Sequence, residues 1–142
     1  MKSSLKDIIK RFKVFSDLNN EESNEITQRV DKNGMGLTHG VESLKVTMSP
    51  HPRNEEMIGF LEELPDHIVF SLLVLMYSGR ESVNDVKDHW LQLRETFTSK
   101  DLAIEFIQQK PLRFEHIEKG IQYLGEKQIE DFAEYIQSTL KA

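Results

Sequence analysis

Five side chains able to do chemistry fall in one short span: Tyr77, Arg80, Asp85, His89 and Trp90. Arg80 follows Gly79, which the pattern predicts as the C-terminal cap of one helix, and it precedes the start of the next. A guanidinium beside free helix amides could hold a phosphate or a carboxylate. The same cation could equally serve the last carbonyls of its own helix or pair with Glu81 or Asp85. Asp85 would also occupy the amides that an anion would use. Asp85 and His89 are four residues apart, a spacing compatible with metal binding. Two ligands do not make a site, and no third follows. Val86 and Trp90 belong to the buried stripe of this helix, so the Asp85–His89 pair is expected toward its flank or surface.

Other chemistry finds less support. None of His39, His51, His67, His89 and His116 sits in a metal-ligand pattern, and there is no GxSxG motif or P-loop. The glycines of "NGMGLTHG" have the wrong spacing for a phosphate loop and follow no convincing strand. The pairs Glu55–Glu56, Glu62–Glu63 and Glu130–Asp131 are adjacent, so on a helix their side chains diverge. A general acid–base pair needs two carboxyls in a shared cleft; these read as solubilising surface. No catalytic set, metal site or cofactor site is assembled.

The N-terminal segment presents a different kind of candidate. Lys2, Lys6, Lys10, Arg11 and Lys13 give it a basic face, and Leu5, Ile8, Ile9, Phe12 and Phe15 give it an apolar one. Such a helix can lie in a partner's acidic groove or on an anionic bilayer, with Lys6, Lys10 and Lys13 as contacts. It can also dock on its own acidic domain through the same two faces.

The elements that must position these residues are helical. The 142-residue chain is 38% hydrophobic and 30% charged, a globular balance, and its length suits one domain. The net charge of −6 is spread over both halves and argues against broad nucleic-acid binding. There is no cysteine, which excludes disulfides and thiolate chemistry and favours a reducing, cytoplasmic setting. The run from Ile68 to Tyr77 has one polar residue, Ser71, but it is about half the ~20 residues of a membrane span. It reads as a buried helix starting at Pro65, and the N-terminus lacks the apolar core of a secretory signal.

Around that helix the stripes recur at spacings of three and four. A first helix starts near Ser4, with Asp7 completing a capping-box pattern. Polar residues 19–33 predict at most a short surface helix. Gly-rich residues 34–40 predict a loop, Leu44–Met48 a possible strand, and "SPHP" a break. Further helices are predicted from Asn54, from a Ser82–Asp85 capping pattern through Phe97, from a Thr98–Asp101 pattern, from Pro111 to Gly125, and from Ile129 to Leu140. The expected fold is all-α: a compact multi-helix bundle around a central apolar helix, with an N-terminal helical arm and an irregular Gly/Pro-containing connection. We divide it into an arm, residues 1–52, and a helical core, residues 53–142.

Within the core, "LPDHIVFSLLVLMYSGRES", then Trp90, then "KPLRFEHIEKGIQYLG" resembles a small bacterial family of unknown function. Leu75, Met76, Gly79, Arg80, Trp90, Pro111, Leu112, Gly120 and Gly125 carry the resemblance, over roughly residues 60–125. Tyr77 stands where that pattern has Trp, and Glu81 where it has Gly. The resemblance implies a helical core and no particular activity. The expectation is thus a non-enzymatic interaction module with a protein partner or self-association, with membrane and nucleic acid disfavoured. The alternative is a small-molecule, nucleotide or anion binder, or an enzyme, at the Gly79–Arg80 turn.

Overall fold

The computed structural model describes residues 4–33, 52–110 and 112–141, with backbone alone for 26–33 and 141. The predicted loop at 34–40, the predicted strand at 44–48 and Pro111 lie outside these residues. Seven α-helices occur among the described residues, with no strand: α1 (Leu5–Asn33), α2 (Pro52–Glu63), α3 (Asp66–Glu81), α4 (Val86–Leu93), α5 (Lys100–Gln109), α6 (Arg113–Leu124) and α7 (Ile129–Lys141). A 3₁₀ turn, Glu126–Gln128, leads into α7.

Helix α3 is the centre of an all-α bundle. Every residue from Ile68 to Gly79 is buried, so this helix has no solvent face and must be covered all round. Its large apolar side chains each contribute about 1.5–3 kcal/mol on burial. Helices α1, α4, α5, α6 and α7 turn apolar stripes toward the same cluster, which contains Phe12, Trp90, Ile107, Ile117 and Phe132.

The tightest approach is between α3 and α6. A Cβ placed on Gly79 would overlap the carbonyl oxygen of His116 and stand 2.9 Å from the Gly120 amide nitrogen. A Cβ on Gly120 would overlap the carbonyl of Leu75. Residues 75 and 79 therefore face 120 and 116, which makes the crossing antiparallel, one glycine from each helix. Gly79 is a contact inside α3, not its cap. The cap is Ser82, left-handed at φ 58°, and the Ser78 carbonyl accepts from the amides of Ser82 and Val83.

Three helix ends are closed by side chains of other helices. Glu130 of α7 accepts from the Leu5 amide at 2.7 Å and the Lys6 amide at 3.1 Å, alongside the expected Ser4 cap on Asp7. Glu22 of α1 accepts from the Arg53 and Asn54 amides at the start of α2. Arg113 closes the far end of α5. Each charge has the sign that the helix dipole favours at that end. Glu130 is thus a cap and not mere solubilising surface.

Helix α1 also corrects one expectation. It runs unbroken through residues 19–33, because no glycine or proline interrupts it and polarity decides burial, not helicity. Its apolar face lies in the common core, pinned by stacking of Phe15 on Phe60 at 4.7 Å, so the arm's helix and the later helices share one cluster. Boundaries also move at α4 and α5. Asp85 and Ser99, which accept from Asp88 and Leu102, are the N-caps instead of Ser82 and Thr98. Residues 94–96 form a turn, so α4 does not reach Phe97.

Gly79→Ala and Gly120→Ala should each cost about 3 kcal/mol or more in urea unfolding, since the atoms struck are backbone and cannot swing away. Gly59→Ala in α2, which meets nothing within 4 Å, should instead stabilise by about 0.5–1 kcal/mol.

Candidate functional site

The five residues singled out around Arg80 do not converge. Arg80 itself is exposed in the last turn of α3. Tyr77 is buried against Phe97 with ring centroids 5.6 Å apart, and burial raises its pKa against the opposing effect of Arg80. Trp90 is buried too, packed on Phe70, and its indole N–H donates to Thr139 Oγ1 of α7 at 2.9 Å. Asp85 holds the Asp88 amide at 3.1 Å, so it does fill an amide at the start of α4.

His89 departs most from expectation. It is buried, not on the flank, because α4 turns it toward the end of α3. Its Nδ1 shares a 2.9 Å hydrogen bond with Ser78 Oγ, and its Nε2 lies 3.3 Å from a Glu81 carboxylate oxygen. A hydroxyl, an imidazole and a carboxylate in series is the order of a nucleophilic triad. Here the chain is a strut. Ser78 is fully buried inside a helix, so no substrate carbonyl can reach its oxygen. Among the described residues no group of three or more His, Asp or Glu could hold a metal ion.

Part of the basic face of α1 contacts later elements of the chain. Lys6 pairs with Glu126 at 2.8 Å, which lowers the Glu126 pKa. Lys13 pairs with Asp17 at 2.8 Å and lies over the Phe114 ring, and Arg11 lies over Phe60. Lys10 is exposed. With Leu5, Ile8, Ile9 and Phe12 buried, the apolar half of the helix is already covered.

A different place gathers polar groups. A cleft of about 550 Å³ opens between α1 and the α5–α6 corner. One face of α1 supplies Asn19, Asn20, Ser23 and Asn24, and α2 adds Asn54. Gln108 and Gln109 come from the end of α5, with Arg113 and Glu115 from α6 and the half-exposed Leu112 at its start. Asn19 donates to Asn54 Oδ1 at 3.1 Å, which joins two walls.

Arg113 is only 2% exposed. Its Nε donates to the Ile107 carbonyl at 3.1 Å and its Nη2 to the Gln108 carbonyl at 2.9 Å. Nη1 donates to Ser16 Oγ at 3.1 Å and Asn20 Oδ1 at 3.2 Å. One guanidinium thus ties α6 to α5 and α1, and burial lowers its pKa to about 10. The sequence reading missed this cleft. Its signal was "NNEESN", four small polar side chains at helical spacing in a stretch judged merely polar.

A second hollow, about 340 Å³, is lined by Phe70, Trp90, Arg94 and Lys100 among others. Its cations are employed internally: Arg94 donates to the Thr139 carbonyl and Lys100 to that of Glu62.

Comparison with family models, with curated proteins and with solved structures returns no match. The residues behind the family resemblance have structural work of their own. Leu75, Gly79 and Gly120 form the α3–α6 crossing, and Trp90 anchors α4.

Two measurements check this description. Ser78→Ala should cost about 1–3 kcal/mol by leaving the buried His89 nitrogen unpaired, and a fluorophosphonate probe should not label Ser78 in the folded protein. His116 has its pKa lowered, first by burial and then by Arg80. A base with a depressed folded pKa binds fewer protons folded than unfolded, so its share of stability is complete above pH ~6.5 and is lost as pH falls through the folded value. NMR titration should find His116 below that reference, and Arg80→Ala should move it upward.

Proposed function

We propose that the protein is a non-catalytic binding module that takes an extended segment of a partner protein into the amide-lined cleft. The observation that carries this is the chemistry of the walls. Carboxamides both donate and accept, as a peptide backbone does, and Asn24, Asn54 and Gln109 stand on three different helices. The volume falls within the range of ligand-binding clefts, and Leu112 offers an apolar contact at the rim. A cysteine-free chain supports a cytoplasmic setting for such a partner.

A second reading keeps Arg80 as an anion contact. It is supported by convergence of bases at that end of the bundle, where Arg80 and Lys119 both depress His116.

Capture from lysate of the source cell separates these readings. Wild type and Arg80→Ala should retain the same stoichiometric partner, and Asn24→Lys with Gln109→Lys, both at exposed positions, should lose it with an unchanged melting temperature. Retention by the cleft double variant would overturn the cleft reading. Loss in Arg80→Ala, or a phosphate-induced thermal shift abolished by it, would favour the second. Light scattering that finds a second copy as the partner would make the surface self-associating.

A further inference from the structure

Arg113 supplies four of its five N–H groups to protein oxygens, all of them neutral. The fifth, on Nη2, has no acceptor among the described residues. No carboxylate among those residues pairs with this cation, although it is almost fully buried. A desolvated charge without a counter-charge is costly, and a guanidinium with a pKa of about 10 remains ionised at neutral pH. The group lines the cleft.

The geometry points to the floor of this cleft as a carboxylate site, in which Arg113 contributes its remaining N–H and its charge, and neighbouring carboxamides donate to the ligand oxygens. This rests on the cleft being the recognition surface. A carboxylate fits better than a phosphate group. Glu115 stands at the rim, and Glu21, Glu22 and Glu25 line the adjoining part of α1, so one negative charge is balanced where two would be repelled. Among the described residues Arg113 keeps one donor without an acceptor, not the open fork that grips a phosphate. The carboxylate can come from the C-terminus of a protein segment or from a free small acid.

The two sources separate by titration followed in ¹H–¹⁵N NMR, reading the side-chain amides of Asn24 and Gln109. The probes are N-acetyl-tetra-alanine with a free C-terminus, the same peptide as its C-terminal amide, acetate and inorganic phosphate. The free-acid peptide should shift these amides saturably and bind at least about tenfold tighter than the amidated one, the scale of one charged hydrogen bond. Acetate should compete and phosphate should not. Glu115→Gln, which removes charge at an exposed position and keeps both reporting amides, should tighten the acid more than the amidated peptide.

Equal binding of acid and amide would overturn the carboxylate site while leaving the peptide reading intact. Saturable acetate binding without peptide binding would keep the carboxylate and overturn the protein-segment reading. Phosphate binding as tight as acetate would overturn the selection for a single charge. No response to any probe would overturn both.

Discussion

The closeness of α3 and α6 is the constraint on which the rest of the bundle depends. Two backbones meet with nothing between them, at Gly79 against His116 and at Leu75 against Gly120. Residues four apart on each helix make these contacts, so both the distance and the axial register are set. With α6 seated this way, its first residue, Arg113, reaches the last carbonyls of α5 and the polar face of α1. The cleft exists because those three helices are held at that corner. A helix buried on every face leaves little room for compromise, since any displacement of α6 also uncovers part of α3.

Several charged side chains hold helix ends. Glu130, Glu22 and Arg113 each close a terminus on another helix, and Arg94 and Lys100 donate to backbone carbonyls. A hydrogen bond to a charged group is worth more than a neutral one, and these also complement the helix dipole. Asp85 and His89, conspicuous in sequence, each hold such a structural bond. The Ser78–His89–Glu81 series makes the same point, because it borrows the order of a catalytic device to fasten α4 to α3.

The all-α bundle and its central helix were legible in the sequence. Twelve successive buried residues must show as an apolar run, and amphipathic stripes must show at three-and-four spacing. The ends were less legible. Ser82 and Asp85 looked like one capping box, yet Ser82 ends α3 and Asp85 begins α4. Local patterns cannot say which of two adjacent caps a tertiary contact will use. Gly79 was misread because a glycine at a helix end and a glycine at a helix crossing look alike until the opposing helix is known. Arg113 was invisible for a related reason: an arginine near a helix start reads as solvated unless the carbonyls it reaches are already placed. Asn19, Asn20, Ser23 and Asn24 share a helix face by spacing alone, but only Asn54 and Gln109, far away in the chain, turn that face into a cleft.

The Glu130 cap has a consequence for how the chain acquires its shape during synthesis. The amides of Leu5 and Lys6 are matched to a carboxylate more than 120 positions downstream. A ribosome releases the first helix long before it makes the last. Throughout that interval the amides of Leu5 and Lys6 lack their carboxylate, while Ser4 can already hold the amide of Asp7. The first turn of α1 is therefore completed only by α7, although its apolar face can already meet α2 through Phe15 and Phe60.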